Sequence, residues 1–202
     1  MVSNLSSINE SELSNDIVTV TKLQVALRSE ARSLQATLSD LGLKADTTTS
    51  EGLFQLLRQT ATALLDHAAY WTHVLSSSET LYNREAAETR FTELSLQERS
   101  KFSVESLSNV NGVVSTQPIE PPEPNETSAY VVVTLLLGTE NDNPLFGDIY
   151  TTSVLRDVLE NITMMVPRYL LVFELLWSPQ ESKDSLTEAE LATEYKELVA
   201  IG

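Results

Sequence analysis

The chain's 202 residues, 42% of them hydrophobic, are enough for one domain with a core of its own, and they argue against wholesale disorder. Acids outnumber bases 29 to 13. The resulting net charge of −16 repels phosphate backbones and anionic lipid surfaces, which disfavours nucleic acid and leaves a basic protein partner, or simple solubility, as the compatible reading. With no cysteine, these residues cannot form disulfides, thiolate catalysts, zinc–thiolate sites or iron–sulfur ligation.

Residues 1–15, polar and rich in Ser and Asn without the basic-then-apolar order of a signal peptide, read as a disordered lead-in. Residues 16–202 read as a single α+β domain, N-terminal helices plus a mixed sheet containing a strand–helix–strand unit. Leu23, Leu27, Ala31, Leu34, Leu38 and Leu41 recur at spacings of three and four, which predicts one helix that Gly42 would stop. A second helix is predicted from Ser50 as N-cap, with Leu53, Leu57, Ala61, Leu64 and Ala68 on its apolar face. Around His67 the period changes to two, and Ala69–Leu75 reads as a strand. Ser76–Ser78 reads as a turn leading to a charged helix over residues 81–94. The capping-box pattern Ser95–Glu98 then opens a fresh helix to about Leu107.

Four prolines between Gln117 and Asn125 mark an internal linker at 117–125. Tyr130–Leu137 is a β-branched run suited to a central strand covered on both faces. A turn-rich loop follows, then a helix capped by Thr152 or Ser153, and Tyr169–Trp177 as a buried strand. Strand, helix and strand of these lengths suggest a parallel crossover. Overlapping capping boxes, Ser185–Glu188 and Thr187–Glu190, open a short final helix.

No residue pattern carries a recognised chemistry, so catalytic, cofactor-binding and metal-ligating residues are all expected to be absent. His67 and His73 lack the i, i+4 spacing and third ligand of a metal pair, and no nucleophile motif accompanies Asp66 and His67. Glu140, Asp142 and Asp148 resemble calcium ligands in type, but Pro144 interrupts the order an EF-hand requires, and a turn is the plainer reading. From Phe102 to Leu155 there is no Lys or Arg, while these and other acids fall there, so the stretch is either solvated or a face for a basic partner. Trp177, at a strand end, is the aromatic anchor expected to be partly exposed. Trp177, Glu140, Asp142 and Asp148 are therefore the candidate partner-binding residues. Glu174, inside an apolar run, either faces solvent or has a partner, and solvent is the preferred expectation.

Several segments resemble the cyanobacterial and plastid family catalogued as domain of unknown function 1517. They are Asp16–Leu27 (DIVTVTKLQVAL), His67–Trp71 (HAAYW), Phe91–Phe102 (FTELSLQERSKF), Tyr130–Leu135 (YVVVTL), Leu175–Gln180 (LLWSPQ) and Leu186–Leu191 (LTEAEL). The resemblance covers residues 16 to the C-terminus and brings no established reaction or catalytic residue. Many members of that family place a hydrophobic segment and a Gly-rich stretch before this domain. Their absence here implies a soluble member or a trimmed domain, cytoplasmic or stromal, reaching a photosynthetic membrane only through a partner. The resemblance thus implies a non-catalytic accessory protein assisting photosynthetic membrane complexes. The alternative is a small hydrolase or ligand-binding enzyme with an unrecognised His/carboxylate site. A third reading is a self-associating domain that uses the Leu23–Leu41 stripe.

Overall fold

The computed structural model describes residues 8–106, 129–180 and 184–202, and the Pro-rich segment 117–125 lies outside them. The element order is β1 (Val18–Arg28), α1 (Arg32–Lys44), α2 (Ser50–Asp66), β2 (Trp71–Leu81), α3 (Arg84–Ser106), β3 (Tyr130–Thr139), α4 (Thr152–Thr163), β4 (Leu170–Ser178), α5 (Glu188–Glu194) and β5 (Val199–Ala200). The fold is α+β. One five-stranded sheet in the order β4-β3-β1-β2-β5 is sandwiched between helices, and every pairing in it is antiparallel.

The expected first helix is in fact two elements. Leu23 and Leu27 lie on β1, the central strand, while Leu34 and Leu38 lie on α1 after a 3-10 turn at Ser29–Ala31. A spacing of four fits both periods, because residues i and i+4 share a face in a strand as well as in a helix. The β-branched residues of Val18–Thr21, with Val25, decide for the strand. Alternation along β1 sends Leu23, Val25 and Leu27 into the main core, together with Val131, Val133, Leu135 and Leu137 of β3. The opposite face carries Val18 and Val20, then Lys22 and Gln24, then Ala26. Gly42 falls inside α1, which runs on to Lys44.

Helices α1, α2 and α4 cover the main face. Thr49 caps α2 one residue before the expected Ser50, its Oγ accepting the Gly52 amide at 3.1 Å. Gly52 is obligatory, since a Cβ there would lie 1.9 Å from the Asp46 carbonyl oxygen. Likewise Thr151, and not Thr152 or Ser153, caps α4, whose Leu155, Val158, Leu159 and Ile162 are buried as expected.

Strand β2 begins near the expected place but continues through Ser76–Ser78, which is no turn. Those hydroxyls have partners inside the sandwich. Ser76 Oγ accepts the Ile149 amide at 3.0 Å and Ser78 Oγ accepts the Leu145 amide at 2.8 Å, which seats Leu145, Phe146 and Ile149 in the main core. The β3-to-β4 connection therefore docks along β2, turns into α4 and returns to the end it left. That path makes β4 antiparallel to β3, so the expected parallel crossover and mixed sheet do not form. The second face is covered by α5, over Ala26 and Val132, and by α3, which is one continuous helix through the expected break at Ser95. Residues 8–15, expected to be disordered, hold a 3-10 turn at Glu12–Ser14. The Tyr169 hydroxyl donates to Glu12 at 2.7 Å and accepts the Asn9 amide at 2.7 Å.

Candidate functional site

The four candidate partner-binding residues do not converge. Glu140 follows β3 and is buried, both of its oxygens accepting Arg84 Nη2 at 2.8 Å. The Glu140 hydrogen bond in turn raises the pKa of Arg84. Asp142, half-buried, accepts Asn15 Nδ2 at 2.9 and 3.1 Å. Asp148 is exposed and accepts the Tyr150 hydroxyl at 3.2 Å, and its charge is the main reason the Tyr150 pKa is raised. Trp177 pairs with Val133 near the other end of β3, about 20 Å from Thr139 at strand rise, and packs half-buried against the main core. At the acidic end an open groove of about 460 Å³ runs between Leu13, Ser50, Glu51, Pro167 and Arg168.

The two histidines lie on opposite sides of the sheet. His73 pairs with Ala26 on the second face, its ring edge-on to Tyr130 at 5.9 Å, and burial lowers its pKa against a partial opposing effect of Glu188. His67 ends α2. Its Nδ1 donates to the Ala63 carbonyl at 2.8 Å, which leaves Nε2 to accept the Ser33 hydroxyl at 2.9 Å. A serine facing an imidazole acceptor is the minimal unit of a nucleophile and base. Here a carbonyl, not a carboxylate, orients the ring, and Ser33 is exposed. An open groove of about 550 Å³ lined by Thr37, Leu41, Arg58 and Asp66 continues along the α1–α2 seam beside them, and neither Ser33 nor His67 lines it.

The polar centre of the molecule lies under α3, around Glu98, which the sequence offers only as a capping-box residue. Glu98, 1% exposed, does not cap a helix. Its Oε1 accepts Lys22 Nζ at 3.2 Å, and its Oε2 accepts Gln24 Nε2 and Lys101 Nζ, each at 2.8 Å. Gln24 Nε2 also donates to Thr134 Oγ at 2.9 Å, and Lys101 Nζ lies 4.3 Å from the centre of the Tyr195 ring. Glu174 does not face solvent: it is largely buried beneath α3 and receives Arg99. In such a buried set each group supplies its neighbours' hydrogen bonds, so losing any one strands the others without a partner. Among the described residues no group of three or more His, Cys, Asp or Glu is arranged to hold a metal ion. No described helix is long and apolar enough to cross a membrane.

A family model described as protein of unknown function, DUF1517, matches residues 17–201. The chain is 35% identical over 192 residues to Protein FLAP1 homolog A of Synechocystis sp., covering 90% of the chain and 56% of that protein. It is also 35% identical over 176 residues to FLUCTUATING-LIGHT-ACCLIMATION protein 1, chloroplastic, of Arabidopsis thaliana, covering 87% of the chain and 45% of that protein. The chain thus spans about half the length of the curated relatives it matches. No solved structure matches it.

Proposed function

The chain belongs to the DUF1517 family, and from that premise we propose that it is a non-catalytic binding or accessory protein that helps maintain photosynthetic membrane complexes under changing light. The observation that carries this reading is its similarity, over nine-tenths of its length or nearly so, to a chloroplastic protein named for acclimation to fluctuating light and to a Synechocystis protein named as a FLAP1 homolog. The proposed setting is the cyanobacterial cytoplasm or the plastid stroma, with membrane contact made through a protein partner. Most of its Lys and Arg side chains are engaged in ion pairs, so the free charge is acidic and suits a partner with a basic face. Tagged chain incubated with solubilised thylakoid membranes should enrich identified subunits of a photosynthetic complex over a tag-only control, and less so at high salt. Enrichment equal to the control would overturn the reading.

A second reading, a small hydrolase, is favoured by the Ser33–His67 hydrogen bond alone. A fluorophosphonate probe distinguishes the two. The accessory reading expects wild-type labelling no stronger than that of Ser33→Ala, whereas labelling lost in both Ser33→Ala and His67→Ala would establish the hydrolase.

A further inference from the structure

Helix α3 is joined to the sheet in a way no other described helix is. On its described side chains, Arg84 to Lys101, the inward stripe reads Arg84, Ala87, Phe91, Leu94, Glu98 and Lys101, so both ends are charged. Only Ala87 and Leu94 of that stripe are buried apolar residues, against six buried apolar residues on α2. Phe91 packs half-buried against the same small cluster, and beyond it the attachment of the described side chains is largely ionic and reaches every long strand. Arg84 binds Glu140 at the end of β3, Arg90 binds Glu79 of β2 at 3.1 Å, Glu98 binds Lys22 of β1 at 3.2 Å and Arg99 binds Glu174 of β4.

We propose that α3 is a releasable cover, an electrostatic clamp over the second face of the sheet that loosens when mobile ions compete for its pairs. Three of the four ties have a partly solvated arginine, 37–62% exposed, which salt screens over distances of about 10 Å at 0.1 M. The fourth, Glu98–Lys22, is dry and is screened much less. It opposes lifting at every salt concentration, and the salt dependence comes from the other three. Release uncovers Val18, Val20 and Leu136, flanked by Lys22, Gln24 and Thr134, a face with an apolar patch and a fixed cation. This property belongs to the isolated chain and holds whether or not the accessory reading does.

Hydrogen exchange on the full chain tests it, with α2 as the internal reference because its docking is apolar. Between 20 and 500 mM sodium chloride, amides of residues 84–101 should exchange about tenfold faster, the scale of three partly solvated ion pairs weakened together. Those of α2 should stay constant or slow. The double substitution Glu79→Gln with Glu174→Gln should raise α3 exchange at low salt and shrink its salt response. Equal exchange of α3 at both salt concentrations, or α3 and α2 responding as one unit, would overturn the proposal.

Discussion

Replacing Glu98 with alanine would leave the Lys22 ammonium 4% exposed, with Glu197, itself 58% exposed and 3.8 Å away, as the remaining carboxylate. Removing one partner of a buried pair strands the other charge, so Glu98→Ala should cost about 3 kcal/mol, read as a drop in the urea midpoint at constant slope. The double change Lys22→Met with Glu98→Leu removes both charges and should recover most of that loss. A different sign of charge effect operates at His73, where burial holds the folded pKa below the ordinary 6.5 and Glu188 opposes this only in part. Above 6.5 both folded and unfolded chains carry a neutral ring, and no penalty arises. As pH falls from 6.5 toward the folded value, the unfolded chain takes up the proton first, so stability is lost with acidification. Urea midpoints at pH 7.5 and 5.0 should fall further for the wild type than for His73→Gln, the carboxylate background being common to both.

At the scale of elements, the sequence was most legible where one period held alone. The apolar face of α2, the buried run of β3, the face of α4 and the capping box at Thr187 and Glu190 were all visible before the fold. It misled where two periods coincide, as at Leu23 and Leu27, or where a polar residue has an interior task. Ser76 and Ser78 look like a turn because nothing local tells that their hydroxyls accept amides from a loop some 70 residues away. Ser78→Ala should therefore behave as a core substitution. It orphans the Leu145 amide and the Thr21 hydroxyl, bonded at 2.8 Å each, for a cost of about 2 kcal/mol by thermal or urea unfolding. The same blindness hid the α3 site. Glu98 matches a capping box and Glu174 looks like a solvent-facing residue in a strand, and only the topology that lays α3 across four strands reveals their partners. The four candidate contact residues were chosen for residue type, which cannot disclose that Glu140 is already committed to Arg84.

For the whole molecule, salt acts in two opposed ways that operate at different ranges. A net charge of −16 on 202 residues is a self-repulsion spread over the surface, present in the folded chain and relaxed when the chain expands. Added salt screens that long-range term and should raise the thermal midpoint between 20 and 300 mM sodium chloride. The pairs under α3 are short-range attractions held mostly by solvated arginines, and the same ions weaken them. Global stability and local protection should thus diverge, the unfolding midpoint rising while α3 exchanges faster. A protein stabilised chiefly by its apolar core can tolerate that divergence, because α1, α2 and α4 bury apolar stripes on the main face. Calorimetry at stepped salt checks the first half. A midpoint that fell with salt would mean that the clamp, and not the net charge, dominates the stability of the domain.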